Sequence, residues 1–148
     1  MNNHEFTMSL GIRHPDIDPA QITGALGLQP GHAWSKGEQR TSPTGAALGG
    51  SHRESYWFCE IVPRPKFSGE LVSMESEMAR VLQMLSKATD FLQGLHVGGG
   101  VTELFITIFA RGDFRMELLP EQSALLGRIG LSLTIDVKSG RATSGEPT

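Results

Sequence analysis

Cysteine is almost absent from this chain: Cys59 stands alone among 148 residues. One thiol cannot close a disulfide within the chain, so the sequence bears no mark of an oxidising compartment. Charge of one sign is also scarce, with 13 Lys and Arg against 16 Asp and Glu for a net −3. Without a basic excess there is no field to gather phosphate backbones, which argues against nucleic acid as a partner. Long hydrophobic runs are missing as well. The longest apolar stretches are strand-length, short of the roughly 20 residues a membrane-spanning helix needs, so no membrane association is expected. The opening Met1-Asn2-Asn3-His4-Glu5-Phe6 offers neither the basic nor the apolar part of a signal peptide, and a cytoplasmic location follows by elimination. No Gly-x-Ser-x-Gly elbow and no Gly-Lys-Ser/Thr phosphate loop occurs, and no second metal-ligand cluster backs the one weighed below. No catalytic residue, metal or cofactor is therefore assigned.

What is present is the material of one ordinary domain. The hydrophobic content of 39% and charged content of 20% are those of a globular core with a polar surface. Phe6, Met8, Leu10 and Ile12 alternate with Thr7, Ser9, Gly11 and Arg13, which predicts a half-buried strand. Asp18-Pro19-Ala20-Gln21 has the order of a helix start, with Asp18 as N-cap and Pro19 at the first helical position, and Gly27 supplies the stop. Ser55 to Val62 is aromatic and β-branched and predicts a second strand.

Apolar residues from Leu71 to Leu92 recur at spacings of three and four, predicting one amphipathic helix from about Gly69 to Gln93, capped by Gly94. Thr102 to Ala110 reads as a central strand, Phe114 to Leu118 as an added edge strand, Pro120 onward as a third helix and Leu131 to Val137 as a last strand. Residues 1–138 then form a single domain. The polar tail 139–148 has nothing to bury and is expected to be disordered.

Pro19-Ala20-Gln21 with Leu26-Gly27-Leu28 is echoed by Pro120-Glu121-Gln122 with Ile129-Gly130-Leu131. The echo suggests two strand–helix–strand units. The fold class expected is α+β, with a mostly antiparallel sheet of about four to six strands, helices on one face and ferredoxin-like βαβ units.

Several stretches invite chemistry and yield to plainer readings. His14, Asp16 and Asp18 resemble a metal cluster, but a turn and a helix cap account for both carboxylates. Cys59, with His52 or His32 as base, has the elements of a nucleophile, yet it lies mid-strand as a small buried hydrophobe. Gly98-Gly99-Gly100 precedes a strand, whereas phosphate-cradling glycines follow one and open a helix. Met74 and Met78 fall on the core-facing stripe, and Arg111-Gly112-Asp113 reads as a strand-ending turn.

Residues 31–57 differ in kind. Glycines and prolines interrupt regular structure here, with Ala33-Trp34-Ser35 as a short edge strand, and both tryptophans, the only tyrosine and three cations are gathered together. Aromatic rings and guanidinium groups are enriched where proteins grip ligands, and arginine binds carboxylate or phosphate bidentately. Trp34, Lys36, Arg40, Arg53, Tyr56 and Trp57 are the candidate binding residues. The plain alternative is that the tryptophans anchor a loop while the arginines pair with Glu38 and Glu54.

The order of a strand, Asp16-x-Asp18-Pro19, Trp34-x-Lys36-Gly37-Glu38, Gly49-Gly50, Arg53 and Trp57 resembles the bacterial proteins grouped as domain of unknown function 4279, over roughly residues 6–137. The resemblance implies a compact bacterial cytoplasmic α+β protein and carries no activity. The favoured expectation is a noncatalytic binding module for an acidic small ligand or a protein partner, in the manner of an immunity protein. A homodimer using the same segment comes next, and a small enzyme with His52 or Glu54 as acid or base comes last.

Overall fold

The computed structural model describes residues 4–67 and 73–139. The expected helix start at Gly69 lies outside the described residues, as does the tail expected to be disordered from 139 on, except for Ser139, which ends the last strand. A five-stranded sheet runs in the order β2-β5-β1-β6-β7, from β1 (Glu5–His14), β2 (His32–Trp34), β5 (Ser55–Phe67), β6 (Val101–Ala110) and β7 (Leu131–Ser139). A separate two-stranded hairpin joins β3 (Gln39–Thr41) to β4 (Ala47–Ser51). The helices are α1 (Pro19–Leu26), α2 (Met74–Ser86), α3 (Thr89–Val97) and α4 (Pro120–Ile129).

β1 pairs antiparallel with both β5 and β6, β2 pairs antiparallel with β5, and β6 pairs parallel with β7. β1 and β2 therefore run the same way around β5, as do β5 and β6 around β1. This makes two interleaved strand–helix–strand units, the first through α1 and the second through α2 and α3. The sequence echo had paired α1 with α4 instead. Their ends are alike, each with Pro at the first helical turn and a left-handed glycine after it, Gly27 at φ 69° and Gly130 at φ 79°. But α4 belongs to an appended unit whose strands, β6 and β7, are direct neighbours.

Alternation divides the sheet into a helix-covered face and an open one. Met8, Leu10, Ile12, Trp57, Leu104 and Ile106 are fully buried, and Met78, Val81, Leu82, Leu85 and Leu92 pack over the same core from the helices. The opposite phase of β6, Glu103, Phe105, Thr107 and Phe109, is only half-buried.

Four expectations are corrected. The second strand, read as Ser55 to Val62, runs on through Pro63 and Pro65 to Phe67 as β5. The long helix is two helices broken at Lys87 and Ala88. The Ser86 hydroxyl donates to the Gln83 carbonyl and the Thr89 hydroxyl to the Ser86 carbonyl, so side chains take carbonyls that a continuing helix would need. Gly94 lies inside α3, which ends at Val97 with Gly98 as its C-cap. Phe114 to Leu118 forms no strand among the described residues. Phe114, Met116 and Leu118 instead pack on the core as extended chain.

Trp57 is wholly buried with its indole N–H donating to Thr23 Oγ1 at 3.0 Å, which ties β5 to α1. Trp57→Ala should lower the unfolding free energy by about 3–5 kcal/mol in denaturant titrations, the range for emptying a large aromatic site. Trp34→Ala, which removes a half-buried ring, should cost about 0.5–1.5 kcal/mol, the scale of an aromatic pair.

Candidate functional site

Trp34 closes the short edge strand β2 directly opposite Tyr56 on β5, and Tyr56 stands opposite Arg13 on β1. Side chains opposite one another share a face, so Trp34, Tyr56 and Arg13 form one row across the open side of the sheet. The Trp34 ring packs against Tyr56 at 4.9 Å and stacks on His52 at 4.1 Å with only 14° between the planes. Tyr56 continues to Phe58 at 6.3 Å, and Gly11 lies beneath them. A β-carbon on Gly11 would stand 3.1 Å from the Phe105 ring and 3.5 Å from the Tyr56 hydroxyl, so a bare position on the central strand lets these rings lie across it.

The hairpin is fixed to this row at its base. Gly37 N–H donates to the His52 carbonyl at 2.8 Å and His52 N–H to the Glu38 carbonyl at 2.9 Å. Lys36 N–H donates to Ser55 Oγ at 3.1 Å, and the Glu38 carboxylate accepts from Ser35 N–H at 3.0 Å. Between hairpin and sheet opens a cavity of about 660 Å³ lined by Arg13, Trp34, Arg40, His52, Arg53, Glu54 and Tyr56 with Gly50 and Ser51. A second cavity, of about 500 Å³, shares Trp34, Arg40 and His52 with the first, so these residues border both.

Of the sequence candidates, Trp34, Arg40, Arg53 and Tyr56 meet in the first cavity. Lys36 is exposed and lines neither cavity. Trp57 is a correction: it lies on the helix-covered face, buried in the core, and cannot be part of this surface. The strand pattern held the signal, because Trp57 and Cys59 are two apart and share a face, and Cys59 reads as buried. Arg13 was missed, although it sits in the polar phase of β1 and so had to face away from the core.

Arg13 lies 3.5 Å from Glu103. Arg40 and Arg53 have no carboxylate within ion-pairing distance among the described residues, so the expected pairs with Glu38 and Glu54 are not formed. Burial pushes the Tyr56 phenol above its ordinary value, the Glu103 carboxylate adds to the rise, and Arg13 opposes it. Burial likewise raises the Cys59 thiol, with Glu60 adding to it, which keeps the thiol protonated and unreactive.

The remaining motifs are structural. His14 Nδ1 accepts the N–H groups of Asp16 and Ile17 at 3.1 and 3.0 Å, and Asp18 caps α1 by accepting from Ala20 N–H at 3.0 Å. A β-carbon on Gly100 would lie 2.7 Å from the Leu95 carbonyl oxygen, so the glycine run is a tight packing of α3 onto β6. Arg111 pairs with Glu5 at 3.0 Å.

Fold and cavity together define an α+β domain with a cationic, aromatic-walled concavity at one sheet edge. The chain belongs to the family described as domain of unknown function (DUF4279), which matches residues 4–140. Neither the curated proteins nor the solved structures contain a match to it. Among the described residues, no helix is long and apolar enough to cross a membrane.

Tyr56 is the only tyrosine, so its ionisation can be read directly by ultraviolet absorbance. Its midpoint should lie above 10.0. Glu103→Gln should lower that midpoint by removing a charge that repels the phenolate, and Arg13→Ala should raise it further.

Proposed function

We propose that the protein is a noncatalytic binding module whose cavity between hairpin and sheet holds an anion, either an acidic small molecule or an acidic group of a protein partner. The observation that supports this most is the convergence of three arginines on one cavity from separate stretches of chain. Arg13 comes from β1, Arg40 from β3, and Arg53 from the turn between β4 and β5. Each can bind a carboxylate or phosphate bidentately. The His52 ring stacked on Trp34, with Tyr56 tilted against it, forms an aromatic wall that displaces water from one side of the bound group, which strengthens each charged contact. A volume of about 660 Å³ matches small-ligand sites. The lone buried Cys59 fits a reducing, cytoplasmic setting.

One observation favours a second reading. His52 and Glu54 line the same cavity as Arg53, so an acid–base pair stands beside an anion-binding group, as a small hydrolytic or isomerising enzyme would need.

Titration of Trp fluorescence with inorganic phosphate, citrate and adenosine monophosphate tests the binding reading. At least one anion should give a saturable change that Trp34→Phe abolishes. Arg40→Ala and Arg53→Ala should each weaken binding about tenfold or more, as expected for a lost charge-assisted hydrogen bond. Unchanged emission with every anion, or wild-type affinity in Arg53→Ala, would count against it.

A further inference from the structure

β7 closes the sheet on the side away from the cavity, and its outer edge pairs with no strand among the described residues. Natural proteins usually blunt such an edge by shortening it, bulging it, placing proline on it or lining it with charge. β7 carries charge only at Asp136 and Lys138 and uses none of the other devices. It runs from Leu131 to Ser139 without proline, and its pairing with β6 is unbroken from Thr102 and Leu131 to Ala110 and Ser139. Leu131, Leu133, Ile135 and Val137 share the helix-side phase of β6. Leu131 is buried, but Ile135 and Val137 remain 39% and 52% exposed.

We propose that this edge pairs antiparallel with β7 of a second copy of the chain, joining two sheets into one continuous sheet. The strand Leu131-Ser132-Leu133-Thr134-Ile135-Asp136-Val137-Lys138-Ser139 is self-complementary about Ile135. A two-fold axis there sets Ile135 against its own copy, Leu133 against the partner's Val137, Thr134 against the partner's Asp136 and Ser132 against the partner's Lys138. Every residue from 131 to 139 finds a partner, and no like charges stand directly opposed. Moving the axis to Asp136 sets that carboxylate against its own copy, a repelling pair. Moving it to Val137 leaves only residues 135–139 paired. The Ile135 axis thus pairs the whole strand without opposed like charges, and it keeps the helices of both copies on the same face. The anion cavities lie at the two far ends of the joined sheet, so the dimer stands or falls independently of what they bind.

Sedimentation velocity on the intact chain at micromolar concentration should show twice the mass of one chain. Ile135→Lys, which brings two ammonium groups together at the axis, should sediment as a monomer with an unchanged far-ultraviolet circular dichroism spectrum. With Cys59 buried, Ile135→Cys should form a disulfide-linked dimer on oxidation, because opposite positions in an antiparallel pair are within disulfide reach. Leu133→Cys, whose copies do not face each other, should not. A monomeric wild type, a dimer that survives Ile135→Lys, or equal cross-linking by Leu133→Cys would overturn the proposal.

Discussion

β1 carries hydrogen bonds along both of its edges, to β5 on one side and β6 on the other, and the two faces of the molecule follow from its alternation. Phe6, Met8, Leu10 and Ile12 are sealed under the helices, while Ser9, Gly11 and Arg13 take the other side. A slip of one residue would send Arg13 into the core and Leu10 into water, so burial on one face holds the register that the site on the other face depends on. Gly11 adds a second condition. Without a side chain at that point, Tyr56 and Phe105 can lie across the central strand, and the Tyr56 ring can reach Trp34.

The cavity is built from pieces of unequal rigidity. Arg13 and Tyr56 rise from paired interior strands, whereas Arg40 belongs to a two-stranded hairpin with no buried residue in either strand. Such a ribbon is marginal alone, and here its anchorage is the Trp34–His52 stack with the backbone bonds between Gly37, Glu38 and His52. Three like charges beside one cavity repel one another, with Glu54 and Glu103 close by as partial compensation. On the proposed function, an anion entering there would relieve that repulsion and couple occupancy to the position of the hairpin through Arg40.

Much of this was legible from pattern alone. β1 and β7 announced themselves through alternation, β5 and β6 through aromatic, β-branched and apolar density, and Asp18, Pro19 and Gly27 marked the first helix to the residue. The helix break at Lys87 and Ala88 was not legible, because apolar spacing continues through Leu85 and Leu92 while the interruption comes from the hydroxyls of Ser86 and Thr89. Phe114, Met116 and Leu118 alternate as a strand does, and periodicity cannot tell a partnered chain from an extended one lying on a core. At the site, composition found the segment but not its facing. β5 carries aromatic residues on both sides, so Trp57 looked like a neighbour of Tyr56 when it lies on the opposite face. Arg13 escaped because it is distant in sequence and reaches the cavity only through strand pairing.

The central claim is that an anion binds among Arg13, Arg40 and Arg53 beside the Trp34 stack. The two tryptophans provide an internal comparison, since Trp57 is locked to Thr23 in the core and Trp34 borders the cavity. Proton–nitrogen correlation spectra of the indole and guanidinium groups, recorded as inorganic phosphate is added, follow both at once. The account predicts saturable shifts at the Trp34 indole and at the three arginines, with the Trp57 indole unmoved. Shifts that are absent, linear and uniform, or concentrated away from the cavity would contradict it.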